Sequence, residues 1–579
     1  MKDILKKLNK LLDAKQKRTM AGLGVLMVIG AVLQTAGVSM LVSVVSVVVD
    51  PEAVSRSKLA SMAYKIMGTD DFSSFSVMVM VMLVIVFILK NLFLYIQQKA
   101  MYAFVYTNQF RTSELMMKNY IRRNYEYFLN AETAVVQRSI TSDVNNMYAL
   151  ILALLQMASD GVVSACVIAF CLVKSGVMTI IMAVVLGVLL LIIKNVLKPI
   201  MRKAGEDNQE YYSGLFKWIS QMVQGIKDVK VFGREKYFID SYCDCGKGYV
   251  GAVQKYSLYN SIPKLLIETV CVATMVGYMI VLVLSGASTD NMLSVLTTLA
   301  AAAFVLLPAV NRINNQLNSV SYFEPFLRNV SDNLQYEISR ENTDVSGVIT
   351  DEDRIEVKKN IVLEHMTYSY PNTDKKILDD ATMEIPVGSS VGIVGTTGAG
   401  KSTVADILLG LLDLQEGKIL ADGRDIKDNY RGFLKNIGYI PQVIYMLDDN
   451  IRRNVAFGIK DEDIDEDKVW KALEEAKLDE FVKGLPDGLD TGIGERGIRI
   501  SGGQRQRIGI ARALYHDPDI LIMDEATSSL DGETEKAIMD SINTFLGKKT
   551  MVIIAHRLQT IEKCDTVYRV ENGQIKREK

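Results

Sequence analysis

The sequence predicts two fold classes in one chain: an all-α transmembrane domain of six helices with long cytoplasmic extensions, followed by an α/β domain of the phosphate-loop NTPase type. Three observations predict it. Apolar runs long enough to cross a bilayer crowd the region before residue 310. A polar, acidic stretch follows over 331–353. Beyond it, SVGIVGTTGAGKSTVADILLGLL (390–412) reads as an apolar strand, a glycine-rich turn and an amphipathic helix. The division that results is 1–330 for the membrane domain, 331–353 for a linker and 354–579 for the nucleotide-binding domain.

Composition agrees with this division. At 579 residues and 49% hydrophobic content the chain is too long for one domain and too apolar for an ordinary soluble one. Its net charge of -2 says little about partners, but no basic field is visible in the second domain, so no nucleic-acid partner is expected. The six cysteines build no metal spacing; Cys243 and Cys245 form a lone C-x-C, and reduced thiols are expected.

Taking the elements in order, MKDILKKLNKLLDAKQK places Ile4, Leu5, Leu8, Leu11 and Leu12 on one side of a helix and lysines on the other. It suits a helix lying at the membrane surface. Spans of about 20 apolar residues follow near 22–49, 75–96, 147–172, 178–197, 265–285 and 292–310. The first is too long for a signal-peptide core and is expected to be a retained anchor. Lysine and arginine concentrate before the first span, between the second and third, and between the fourth and fifth. The remaining loops are poor in them, so both termini, both long connections and the second domain are expected in the cytoplasm. The connections at 97–146 and 198–264 carry helical patterning with few breakers, as extensions of the membrane helices would. Lys90, Lys194, Glu268 and Arg312 are charges within or bordering spans that could line an aqueous cavity; snorkelling at helix ends is the simpler account for the two lysines, and the other two stay open.

In the second domain, Gly395, Thr396, Thr397, Gly398, Ala399, Gly400, Lys401, Ser402 and Thr403 fit the phosphate-loop spacing. Glycines let the backbone approach a polyphosphate, and the N–H groups opening the following helix point positive charge at it. Lys401 would meet the β/γ-phosphates and Ser402 a Mg²⁺ ion. The run ILIM (520–523) is of buried-strand type and ends in Asp524 and Glu525 at its C-terminal edge, where ligands gather in open α/β sheets. Asp524 would hold Mg²⁺ and Glu525 would polarise an attacking water.

With ISGGQRQRIGIARAL (500–514) ahead of LIMDEATSSLD (521–531), and IIAHR (553–557) beyond, residues 354–579 resemble the ATP-binding cassette of ABC transporters, and the membrane part resembles their exporter type more loosely. The resemblance implies ATP and Mg²⁺ as ligands, with Tyr370 stacking on adenine. Gln442 would sense magnesium and couple to the membrane domain. Ser501, Gly502, Gly503 and Gln504 form the signature, Ser501 and Gly503 gripping a γ-phosphate. His556 would be the switch histidine, and Asp531 would belong to the loop crossing a dimer interface. The signature starts with Ile500 where the family has Leu, an apolar exchange. One cassette per chain implies a homodimer, ATP being held between two cassettes arranged head to tail. Short coupling helices are expected near 127–133 and 208–220.

A second resemblance concerns what is moved. GVSMLVSVVSVVVDPEAV, GIKDVKVFGREKYF, YIPQVIYMLDDNIRRNVAFG and CDTVYRVENGQI are similar to bacterial flippases of lipid-linked oligosaccharides, the PglK type. It implies a multi-pass protein of the cytoplasmic (inner) membrane of a bacterium, moving a polyprenyl-diphosphate-linked oligosaccharide, with an external helix near 54–67. A lipid or multidrug exporter of the same architecture is the alternative. A nucleotide-gated regulator or channel is the third reading; the intact hydrolytic residues weigh against it.

Overall fold

A computed structural model describes residues 2–49, 72–174, 176–284, 289–336, 354–371, 373–525, 532–555 and 561–579. The expected external helix at 54–67 lies outside them. The chain forms two compact units: Met1–Ile121 with Ala131–Glu337, and Arg122–Asn130 with Ile338–Lys579.

The first unit is helical. It comprises α1 (Lys2–Leu11), α2 (Ala14–Val49), α3 (Phe72–Ile121), α5 (Thr133–Arg138), α6 (Val144–Lys174), α7 (Gly176–Gln224), α8 (Ile226–Val231), α9 (Glu235–Leu284) and α10 (Thr289–Leu334); α4 (Tyr125–Asn130) belongs to the second unit. At 50 residues each, α3 and α9 reach about 75 Å at 1.5 Å per residue. A bilayer core is about 30 Å thick, so more than half of each helix extends beyond it. Among the described residues, Ala14–Leu41, Ser74–Ile121, Thr133–Ala169, Val184–Gln224 and Glu235–Val281 are long and apolar enough to cross a membrane. The sixth expected span falls in α10, where the side chains of 291–306 lie outside the described residues.

Close packing in this unit depends on small residues and on polar pairs. A Cβ on Gly205 of α7 would sit 2.0 Å from the Tyr322 carbonyl oxygen of α10, so only glycine permits this approach. The buried Arg138 bonds Asp143 at 3.2 Å and the Gln209 carbonyl at 2.9 Å, joining a π-helical turn (Ser139–Asp143) to α7. The N-terminal α1 buries Ile4 and Leu8, and Lys7 pairs with Asp332 at the end of α10 at 3.2 Å. Protein therefore covers much of the apolar face expected at the membrane surface; Leu5 remains exposed.

Two connections differ from expectation. The short helix after α3 is α4, two residues earlier than expected. The segment 208–220 lies inside continuous α7, and the short helix comes after it as α8. Ion pairs Arg202–Glu206 and Lys203–Asp207 at i,i+4 spacing support α7 through this region. The break comes at Gly225, which leaves the helical region with φ -99° and ψ 17°.

The second unit carries two sheets. One is antiparallel, ordered β2 (Leu378–Pro386), β1 (Asn360–Tyr368), β4 (Glu416–Ala421), β5 (Arg424–Asp425). The other runs β10 (Gln574–Arg577), β9 (Thr566–Glu571), β3 (Ser390–Val394), β8 (Thr550–Ile554), β7 (Ile520–Asp524), β6 (Ile437–Ile440), parallel except for β10. Both faces of its central strands are buried, which explains their unbroken apolar character. Ile520, Ile522, Val552 and Ile554 face a core shared with β1 and β2. Leu521, Met523, Met551 and Ile553 face the opposite core with the helices α12 (Ile451–Val455), α13 (Glu466–Glu475), α14 (Gly502–Leu514) and α15 (Gly532–Asn543).

Candidate nucleotide-binding site

The buried β3 delivers the chain into the glycine turn, and α11 (Lys401–Leu408) leaves it. Gly395, Gly398 and Gly400 have φ of 156°, 78° and 103°, values L side chains rarely adopt. Space is short as well: a Cβ on Gly395 would lie 2.4 Å from the Val570 carbonyl oxygen, and one on Gly400 would lie 2.8 Å from Ile377 Cγ2. The turn is thus a cradle with the helix N–H groups at its mouth. Lys401, 5% exposed, folds back to donate to the Gly395 and Thr396 carbonyls at 3.1 and 3.2 Å.

Parallel pairing through β8 brings the end of β7 beside this turn. The Ser402 hydroxyl donates to Asp524 Oδ1 at 3.4 Å, and Asp524 is 6% exposed. A hydroxyl and a carboxylate oxygen held together are hard ligands of the kind Mg²⁺ takes, so these residues fit the ion. Glu525 follows at φ 49°, its N–H bonded to the Ile554 carbonyl at 3.0 Å, and Gln442 Nε2 donates to Glu525 Oε2 at 2.7 Å. Tyr370 shares a 3.0 Å hydrogen bond with Thr403 Oγ1, which ties it to the start of α11. Asp406, one turn into α11, has its pKa pushed up to about 6 by burial and by the Asp524 charge.

The signature segment is organised locally. Ser501 caps α14 with a reciprocal pair: the Ser501 N–H donates to Gln504 Oε1 at 2.8 Å and the Gln504 N–H to Ser501 Oγ at 3.2 Å. Among the described residues no hydrogen bond or ion pair joins Ser501 or Gly503 to the phosphate loop. His556 and Asp531 lie outside the described residues.

Residues 20–307 match the ABC transporter transmembrane region, and residues 378–528 match the ABC transporter family. The chain belongs to the ABC transporters. Over 363 residues it is 34% identical to an ATP-dependent lipid A-core flippase of Yersinia pestis bv. Antiqua (strain Antiqua), covering 61% of this chain and 60% of the relative. Over 385 residues it is 32% identical to one of Shewanella frigidimarina (strain NCIMB 400), covering 66% and 62%. The aligned part thus spans about three fifths of the length of these relatives. A solved bacterial Atm1-family ABC exporter with ATP bound shares the fold: TM-score 0.79, 22% identity, 97% of this chain and 95% of that one.

Several contacts of this ABC transporter had no counterpart in the sequence reading. Glu126 of α4 accepts a 2.9 Å hydrogen bond from the Tyr368 hydroxyl, and Asn124 donates to Asp413 at 3.1 Å, so the segment joining α3 to α5 is held by the cassette. Tyr368 in turn packs edge-on against Tyr370, ring centroids 5.3 Å apart. Arg312 has a partner, Asp160, 152 residues away, and a lone aspartate in the third apolar span was the signal for it. Lys90 stacks over Phe87 at 4.1 Å, and Glu268 sits 4.0 Å from Lys264.

Proposed function

We propose that the chain is an ATP-driven lipid flippase of the bacterial inner membrane, working as a homodimer with both termini and the cassettes in the cytoplasm. The arrangement that carries this reading is the phosphate cradle of Gly395–Gly400 with Ser402 against Asp524 and Gln442 against Glu525, in a chain whose other unit has membrane-length helices. The relatives named lipid A-core flippases support a lipid as cargo.

The cradle and the N–H groups of α11 would hold the β- and γ-phosphates, with Lys401 swinging from its carbonyl partners to the phosphate oxygens. Ser402 and Asp524 would hold Mg²⁺, with Gln442 near it; the ion supplies charge neutralisation on the phosphates. Glu525, oriented by Gln442 and by its own backbone, would position and polarise the attacking water. Tyr370 would stack on adenine, and Ser501 and Gly503 of the second copy would contact the γ-phosphate. His556 and Asp531 keep the switch and interface roles that the resemblance implies. Closure of the two cassettes would act on the membrane helices through α4, whose hold on the cassette runs through Glu126–Tyr368.

A polyprenyl-diphosphate-linked oligosaccharide is the more specific cargo reading, favoured by the four sequence stretches similar to that flippase group. The test is reconstitution into liposomes with a lipid-linked oligosaccharide, a lipid A-core and a hydrophobic drug offered separately. Loss of either lipid from one leaflet, dependent on ATP, is the expected result. Movement of the drug alone would remove the flippase reading.

A further inference from the structure

Strand β1 ends at Tyr368, which pairs in register with Leu378. Two residues on, Tyr370 lies outside the sheet. Its side chain is held from two directions: the hydroxyl shares a 3.0 Å hydrogen bond with Thr403 Oγ1 at the start of α11, and the ring meets that of Tyr368 edge-on, planes at 83°. Tyr368 is itself 1% exposed and belongs to the core shared by β1, β2 and β3. Its hydroxyl reaches out of that core to donate to Glu126 Oε1 of α4 at 2.9 Å. Glu126, Tyr368, Tyr370 and Thr403 therefore form a continuous chain of contacts inside the second unit, from α4 to the helix that leaves the phosphate cradle.

Each link is of a kind that transmits position. A hydrogen bond to a carboxylate is directional and stronger than a neutral one. Burial and the Glu126 charge push the Tyr368 hydroxyl up, so it stays a donor under working conditions. Edge-on rings have a preferred geometry, so turning one of them weakens the pair. A ring in a close-packed core moves with its neighbours and not independently of them. Beside Glu126, burial pushes the Tyr125 hydroxyl up, and Asp406 of α11 and Tyr370 push it the same way, so α4 lies close to both. The chain thus meets a nucleotide at Tyr370, where the base would stack, while the phosphates would lie in the cradle of Gly395–Gly400.

We propose that Glu126 and Tyr368 are positioning residues that link α4 to the adenine platform, so that the base of a bound nucleotide, more than its phosphates, fixes how tightly α4 is held. The proposal rests on the reading of Tyr370 as the platform for adenine and deepens it. Coupling of this kind is reciprocal: whatever factor base binding adds to the hold on α4, docking of α4 adds to the affinity for ATP. A ligand that carries the triphosphate without a base takes no part in it.

The test uses the full-length protein in nanodiscs with two probes, ATP and inorganic tripolyphosphate, both without Mg²⁺ so that neither is turned over. Hydrogen exchange of the 125–130 amides, followed by mass spectrometry, reads the hold on α4, and calorimetric titration reads affinity. In wild type, saturating ATP should slow exchange of α4 about fivefold more than saturating tripolyphosphate, the lower end of ordinary coupling factors. Tyr368→Phe, which keeps the ring and removes the bond to Glu126, should erase that difference and weaken ATP about fivefold while leaving tripolyphosphate affinity within about twofold. Glu126→Ala should do the same, and Glu126→Gln, which keeps an acceptor, should restore most of the coupling. Equal protection of α4 by both probes in wild type overturns the proposal, and so does undiminished extra protection by ATP in Tyr368→Phe. A matching loss of affinity for both probes in that variant would mean plain destabilisation of the cassette and overturns it as well. Should a variant fail to fold, the wild-type comparison decides. Tyr370→Ala separates the two readings: an unchanged ratio of ATP to tripolyphosphate affinity there refutes Tyr370 as the platform, whereas a lowered ratio there with no change in Tyr368→Phe refutes the link alone.

Discussion

Replacing Gly395 by alanine isolates what the phosphate cradle contributes, because two other glycines provide controls. Gly398 and Gly388 have φ of 78° and 75° with nothing within 4 Å of an added Cβ. Alanine at either pays only for the left-handed backbone, about 1–2 kcal/mol. Gly395 has the same conformational problem and also a backbone obstacle, the Val570 carbonyl at 2.4 Å, which belongs to a strand paired with β3 and cannot swing away. Overpacking of this kind adds about 1–3 kcal/mol. The summed cost of about 2–5 kcal/mol is relieved by displacing the turn, and the displacement takes the N–H groups off the phosphates. Affinity for ATP should therefore fall at least about thirtyfold, since each 1.4 kcal/mol is a factor of ten. Titration of the purified transporter with a fluorescent ATP analogue reads this directly, and thermal melting reads the stability cost. Gly388→Ala should melt earlier with unchanged affinity, because Gly388 precedes β3 and lies outside the cradle. Equal affinities for Gly395→Ala and wild type would refute the reasoning, as would equal losses at Gly388 and Gly395.

Three further outcomes are expected. Glu525→Gln should bind ATP normally while its hydrolysis falls about 10²–10⁴-fold, the span general-base catalysis supplies; phosphate-release kinetics near the wild-type rate would show that the base lies elsewhere. Arg138→Ala removes one member of a buried pair, Arg138 being 9% exposed and Asp143 fully buried. Stability should drop about 3–5 kcal/mol from the uncompensated carboxylate, measured by denaturation in detergent, whereas Arg138→Ala with Asp143→Ala should lose less; a double variant worse than the single would contradict this. Burial and the Asp565 charge push the Cys564 thiol up to about 11, while Cys243 is exposed. At pH 8 iodoacetamide should label Cys243 in the folded protein and reach Cys564 only on unfolding, when its pKa returns toward the ordinary value; fast native labelling of Cys564 by mass spectrometry would be incompatible with its burial.

The glycine turn between β3 and α11 was legible in the sequence because tight backbone turns fix residue types at fixed spacing: Gly395 and Gly400 have positive φ and no room for a Cβ. The buried strands were legible because both faces of β7 and β8 are covered, leaving no polar alternation. Five of the six expected spans match helices of membrane length among the described residues, but where the helices end was less legible. The expected coupling helix at 208–220 lies in the middle of α7 because polar, helix-compatible residues look alike in an extension and in a connection; the break depends on Gly225. The sixth span was ended at 310 because the carboxamides that follow interrupt the apolar run. Their partners Gln156 and Asp160 lie about 150 residues earlier, and no local pattern shows such pairing. Glu126 was missed for the same reason: its partner Tyr368 is 242 residues distant.

Under the proposed function the signature helix would carry the remaining step, because nucleotide moves a conformational equilibrium only by its differential affinity for the two states. On that reading, contacts from Gly395–Thr403 would be available to ATP on a single copy and would provide affinity without a difference between open and closed. The start of α14 is where a difference can arise. Its reciprocal cap already satisfies the Ser501 and Gln504 N–H groups, which leaves the Gly502 and Gly503 N–H groups for a phosphate presented by another copy. Two charge-assisted hydrogen bonds at about 1.5–3 kcal/mol each give about 3–6 kcal/mol per site. Inverting an equilibrium from 1:99 to 99:1 requires about 5.5 kcal/mol. One site is therefore marginal and two suffice. A covalently linked pair of chains with Ser501→Arg in one half, which blocks one signature, should close only partly with ATP when spin-label distances between the cassettes are measured. The same substitution in both halves should leave them open. Full closure with both signatures blocked would mean that the difference in affinity comes from contacts other than α14.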